Sequence, residues 1–281
     1  MRISQLNIYP VKSLQGIALE TARLTEAGLA LDRNWMLVDD IGRFVTQREL
    51  PAMARIAVSL DAESLVLTHP DASPLRMPLV RDDSPCLTAY VWEDRCEVLD
   101  EGPAAARWLT GVLGALRGSG LRLVRLAPEH RRRVEPHFLR QGERPHTAFA
   151  DGYPFLVASE ASLGELNRRL DAKGLGPVPM SRFRPNIVID GETPFAEDGW
   201  EALVSADGTS RLGLRKPCQR CKITTVDQHF GEIREPGEPL RTLVEMNPRV
   251  SRGGFFGQNA ILLDGEGEAL SVGDRLEEVS G

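Results

Sequence analysis

Lys216-Pro217-Cys218-Gln219-Arg220-Cys221-Lys222-Ile223-Thr224-Thr225-Val226-Asp227 is the stretch around which the rest of the chain reads. Two thiols stand among Arg215, Lys216, Arg220 and Lys222. A cationic setting favours the thiolate, the form of cysteine that attacks electrophiles and binds metals. Ile223-Thr224-Thr225-Val226 is rich in β-branched residues, so the pattern predicts a strand, with the cysteines on the loop that feeds it. Three chemistries use such a pair. A redox Cys-x-x-Cys opens a helix, and no helical period follows here. A structural zinc needs a full tetrahedral set; Cys86 and Cys96 have the wrong spacing for a second pair, and His229 alone does not complete it. The third is a single reactive or metal-ligating thiolate beside a helper. The alternative to all three is a pair of loop cysteines without chemistry, and the cations weigh against it.

Outward from this stretch, composition narrows the class. A chain of 281 residues has room for about two domains. It buries enough surface to need no disulfide staples, and its four cysteines suit a reducing compartment. No apolar run reaches the ~20 residues that span a bilayer, and no signal-type segment precedes the first strand. The expectation is a cytoplasmic protein with no membrane partner. A net charge of −6 weighs against a nucleic-acid partner. The basic run Arg131-Arg132-Arg133 reads as solvated surface.

Towards the N-terminus, Ile3 to Tyr9 alternates as a strand that Pro10-Val11-Lys12-Ser13 breaks, a lysine and hydroxyl corner able to meet an anion. Strand, turn and strand follow from Met36 to Thr46, and short alternating pieces around Ile56–Leu60, Leu65–Thr68 and Leu75–Val80 predict an antiparallel meander. Such a pattern favours a barrel or sandwich. Pro103 to Leu116 carries a helical stripe, as does the segment from Ser159 to Leu170. Pro128 to Pro145 reads as a long loop. Phe155 to Val157 reads as a buried strand. Arg182 and Arg184 lead into another, Ile187 to Ile189; an arginine fork there suits phosphate, and a structural ion pair is the alternative for one of the two. A short helix is expected from Leu240 to Met246, a glycine- and phenylalanine-rich loop over Ser251–Asn259, and closing strands after it.

Tyr9-Pro10-Val11-Lys12-Ser13, Asp32-Arg33-Asn34-Trp35, Phe183-Arg184-Pro185-Asn186 and the cysteine stretch, in that order, resemble the MOSC family, which includes the amidoxime-reducing components of mitochondria and their bacterial counterparts. Phe256-Gly257-Gln258-Asn259 and Val272-Gly273-Asp274 match it too. The resemblance implies an α+β fold that is mainly β: a β-barrel-like N-terminal domain over residues 1–118, then a β-barrel MOSC domain over 119–281 with a few helices. It implies a molybdenum cofactor, molybdopterin carrying the metal. Cys221 is then the metal ligand and the catalytic residue, with Cys218 its neighbour. Lys12, Ser13, Arg33, Arg184, Asn186, Gln219, Arg220 and Asn259 match cofactor contacts. Gly152 and Tyr153 stand where family members often present hydroxyls, so contacts there fall to backbone N–H groups. The implied activity is reduction of small N-hydroxylated compounds. No iron–sulfur cysteine set or dinucleotide fingerprint is present, so electrons are expected from a separate ferredoxin-, flavin- or cytochrome-type carrier. The competing reading is a sulfur carrier with a persulfide on Cys221 or Cys218; a weaker one is a module that stores the cofactor without turnover.

Overall fold

A computed structural model describes residues 1–81, 85–247 and 252–280. Its largest sheet has eight strands, in the order Ile17–Leu19, Ile3–Ile8, Ile187–Ile189, Phe155–Ser159, Phe255–Asp264, Arg211–Gln219, Trp200–Ser205 and Leu276–Ser280. Neighbours are antiparallel except Phe155–Ser159 against Ile187–Ile189. That pair needs a crossover, which the helix Glu160–Asp171 provides. Ile3, Leu6, Phe155, Val157 and Leu212 turn one face of the sheet inward. They meet Ala22, Leu24 and Leu270 of a small sheet built from Thr21–Thr25, Gly28–Leu29 and Ala269–Ser271. Each fully buried leucine or isoleucine there contributes about 1.5–3 kcal/mol.

A second sheet orders Cys86–Val91, Asp94–Asp100, Arg122–Leu126, Trp35–Val38 and Phe44–Val45. A bridge between Arg43 and Tyr90 joins its edge strands, which gives a barrel-like closure. The expected meander is present as Ala57–Leu60, Ser64–His69 and Ala72–Pro78. It shares a core with the helix Pro103–Leu113 through Leu65, Leu67 and Leu109. That helix stops short of Leu116 because Gly114 leaves helical space at φ 77°.

Two expectations are corrected. Ile223 to Val226 is not a strand: Lys222–Thr225 is a turn of 3₁₀ helix, and the strand lies before it, at Arg211–Gln219. Thr224 and Thr225 donate their hydroxyls to the carbonyls of Cys221 and Lys222, which curls the backbone in spite of its β-branched residues. The segment ending at Asn259 is not a loop; Phe255–Asp264 is a central strand, paired on both sides. Ser251, the start of that expected loop, lies outside the described residues. Gly257 makes the strand possible. It sits at φ 75°, and an added Cβ would come within 2.5 Å of the Val157 carbonyl oxygen. Gly257→Ala is expected to lower the unfolding free energy by about 2–3 kcal/mol, read from a urea midpoint that falls at constant slope.

Candidate active site

Two chain segments are stitched together under the site. Arg33 N–H donates to Tyr9 O at 2.9 Å, Trp35 N–H to Pro10 O at 3.0 Å, and Lys12 N–H to Trp35 O at 2.8 Å. Phe149 N–H then donates to Arg33 O at 2.9 Å, bringing in the segment that leads to Asp151, Gly152 and Tyr153. Arg132 fixes that segment. Its guanidinium donates to the carbonyls of Ala148, Ala150 and Asp151 and pairs with Asp94. The sequence reading of Arg131-Arg132-Arg133 as solvated therefore fails at its middle residue, which is buried because those carbonyls need a donor.

These segments close one side of a cavity of about 110 Å³. Lys12, Ser13 and Arg33 line it from the N-terminal segments, Gly152 and Tyr153 from the next, and Arg184 with Asn186 from the entry to Ile187–Ile189. Arg220, Cys221 and Asn259 complete the walls, with Cys218 beside them. Gln219 is the one residue of the sequence-derived set outside the cavity. Alternation along its strand turns it to the exposed side, where its amide donates to Arg252 O at 3.3 Å.

Charge inside the cavity is held by stacking as well as pairing. The Tyr9 ring lies between Arg33 and Arg184, with guanidinium carbons 4.3 and 4.2 Å from its centroid. Burial pushes the Tyr9 phenol up to about 12 against the pull of both cations. Burial also brings Arg184 down to about 10. Arg33 pairs with Asp32 at 2.5 Å and donates to Asn186 Oδ1 at 3.1 Å. Asn186 spends the rest of its amide on the backbone of Asn7 and Leu156, so it ties strands together at the cavity floor. Ser13, Arg33 and Arg184 all have left-handed backbones, at φ 67°, 49° and 56°. Each costs on the order of 1–2 kcal/mol, and such strain clusters where side chains must be aimed. Under Arg184, Phe183 stacks on Phe256 at 4.0 Å and fixes the turn.

The thiols receive different cations from those the sequence suggested. Arg215 turns away to Glu143 at 2.6 Å, Lys216 lies over Phe138, and Lys222 is exposed. Arg220 does reach sulfur, but that of Cys218, at 2.9 Å. Cys221 is met by Arg48, whose Nη1 lies 3.5 Å from Sγ. Asp151 joins the cluster, 2.5 Å from Lys12 and 3.9 Å from Arg48. Its side chain is 56% exposed, so loss of solvent opposes its charge only weakly, and Lys12, Arg48 and Arg33 together hold the carboxyl well below the usual carboxylate range. Burial in turn lowers Lys12, and Asp151 opposes that shift. Sequence reading missed Arg48, Asp151 and Arg132. The signal within reach was that Asp151 adjoins Gly152; contacts such as Arg48 to Cys221 leave no local trace. Arg182 takes the structural alternative and pairs with Asp227 at 3.3 Å.

Among the described residues, no group of His, Cys, Asp and Glu side chains is placed to hold a bare metal ion. No helix among them is long and apolar enough to cross a membrane. Residues 1–116 match the MOSC N-terminal beta barrel domain and residues 144–277 the MOSC domain. The chain is 34% identical over 273 residues to human mitochondrial amidoxime-reducing component 1, covering 92% of this chain and 78% of that one. It is 34% identical over 251 residues to the mouse protein of that name, covering 86% and 70%. With bovine mitochondrial amidoxime reducing component 2 the identity is 32% over 253 residues, again covering 86% and 70%. A chain built of both MOSC modules, and alike to these proteins over most of its length, belongs to the MOSC family in which the amidoxime-reducing components stand.

Proposed function

We propose that this chain is a molybdenum-cofactor-dependent reductase of small N-hydroxylated compounds, supplied with electrons by a separate carrier protein. The observation that carries the reading is the convergence of a thiol with under-used guanidinium groups in one cavity. Nη2 of Arg184 and Nε of Arg220, both on residues that line it, are buried without a partner. Buried donors are nearly always paired, so these suit an anionic ligand, and guanidinium forks suit phosphate. Cys221 offers the soft sulfur that molybdenum accepts. The residues present therefore fit molybdopterin, which carries its own metal. Arg33, Arg184 and Arg220 would hold its phosphate and pterin, and Cys221 the metal. When bound, the cofactor supplies two-electron cleavage of an N–O bond, with two protons taken up and the oxygen leaving as water.

The chain's own part is to grip, orient and exclude. The Tyr9 stack prevents Arg33 and Arg184 from swinging, so little entropy is lost on binding. Lys12 and Asp151 keep a fixed dipole at the rim beside Cys221. All four cysteines are free, which suits a reducing compartment, and we place the reaction in the cytoplasm.

Purified holo-protein with NADH alone is expected to leave benzamidoxime unchanged, and reduced viologen is expected to start turnover, because it replaces the missing carrier. Holo-protein that stays silent with viologen, yet releases sulfide under a thiol reductant, would sink the reductase reading in favour of a persulfide carrier.

A further inference from the structure

Arg48 reaches the site from the segment that follows Phe44–Val45, which the sequence marks only as the end of a hairpin. Its guanidinium carbon stands 4.5 Å from the Trp92 ring centroid and 5.7 Å from that of Phe44. The two rings meet edge to face at 5.0 Å. The bridge between Arg43 and Tyr90 brings these two hairpins together. Nη1 touches Cys221 Sγ, and Nη2 is buried with no partner, on a side chain only 12% exposed.

Trp92 is unusual where it stands. It occupies the turn between Cys86–Val91 and Asp94–Asp100 at φ 55°. Glycine or asparagine fits that conformation, whereas a bulky residue costs about 1–2 kcal/mol. The side chain is 51% exposed, so core packing does not account for it. Its cation–π contact with Arg48 does.

We infer that Arg48 binds an oxygen of the molecule that enters beside Cys221, with Trp92 as the positioning residue that holds the guanidinium there. The ligand class is a small compound whose acceptor oxygen, hydroxyl or carboxylate, lies within a bond or two of the reacting atom. That the natural ligand is N-hydroxylated rests on the reductase reading; the oxygen site itself does not. Asp151 stands 3.9 Å from Nη1, beyond hydrogen-bond reach, so the guanidinium keeps donors that no carboxylate of the protein takes up.

The test alkylates the full chain, purified without cofactor, in parallel with iodoacetate and iodoacetamide. The rate at each cysteine is read by peptide mass spectrometry. Both reagents form the same S–C bond from the thiolate and expel iodide. The ratio of their rates therefore reports carboxylate recruitment and cancels the amount of thiolate. The ratio at Cys221 is expected to fall about 10-fold in Arg48→Gln, the loss of one charge-assisted hydrogen bond. It is expected to fall several-fold in Trp92→Leu and to return in Trp92→Phe, while the ratio at Cys218, beside Arg220, stays constant. Arg48→Lys keeps the charge without the flat stack, and gives a smaller fall should the glutamine variant fail to fold. In molybdenum-loaded protein, Arg48→Gln is expected to raise KM for benzamidoxime at unchanged metal content. A wild-type ratio at Cys221 in the Arg48 variants overturns the proposal. A fallen ratio in a chain with no reductase turnover overturns the reductase reading and leaves the oxygen site standing.

Discussion

Cys221→Ser is expected to abolish viologen-driven reduction of benzamidoxime, while Cys218→Ser retains most of it. Losing an outer partner of a metal ligand costs ~10–100-fold, and losing the ligand itself costs more. The two thiols are held differently. Cys221 follows directly on the last rung of its ladder, where Arg220 N–H donates to Gly254 O at 2.8 Å. Its carbonyl then accepts from the Thr224 N–H at 3.2 Å and the Thr224 hydroxyl at 3.0 Å. Those bonds fix its Cα on both sides and aim Sγ at the Arg48 guanidinium. Cys218 lies within the strand, its sulfur occupied by Arg220. Molybdenum per chain, measured beside the rate, separates loss of the metal from loss of chemistry. Equal loss of rate and metal in both variants would refute the assignment to Cys221.

Arg184→Ala is expected to release the pterin during gel filtration, with retention weakened ~100-fold or more, while Arg131→Ala keeps it. A charge-assisted hydrogen bond contributes about 1.5–3 kcal/mol, and a fork makes two. Arg184 is pre-aimed by its stack on Tyr9 and by its bond to Leu14 O at 2.7 Å. Arg131 is exposed and donates only to nearby carbonyls. Arg184→Gly isolates the fork from the fold. It relieves about 1 kcal/mol of left-handed strain, so its unfolding midpoint is expected to stand above that of Arg184→Ala, yet it loses pterin equally. Pterin loss from Arg131→Ala matching that from Arg184→Ala would mean that the basic loop grips the cofactor instead.

How far the sequence could be read follows from which forces are local. Ile3–Ile8, the meander and the helices show their period directly, because burial of one face dictates it. Tyr9–Ser13, Asp32–Trp35 and Phe183–Asn186 pointed to a common cavity only through their resemblance to a family, and the structure brings Lys12, Arg33, Arg184 and Cys221 into one. The failures have physical causes. Thr224 and Thr225 are strand formers by propensity, yet their hydroxyls found carbonyls three residues back and curled the chain. Phe255–Asp264 becomes a strand because two distant strands pair with it, a fact its glycines conceal. Arg215 and Lys216 were counted towards the thiols by adjacency, but alternation and the partners Glu143 and Phe138 drew them off. Arg48 was passed over because its contact with Cys221 spans 173 residues and depends on a tryptophan ring from a third place.

The central claim is that Cys221 supplies its sulfur to molybdenum within this cavity. Molybdenum-edge X-ray absorption on the purified chain, with Cys221→Ser and Cys218→Ser beside it, tests this most directly. The predicted result is one sulfur neighbour fewer at the metal in Cys221→Ser and a wild-type sulfur shell in Cys218→Ser. An unchanged shell in Cys221→Ser, a loss confined to Cys218→Ser, or wild-type protein that carries no molybdenum would contradict it.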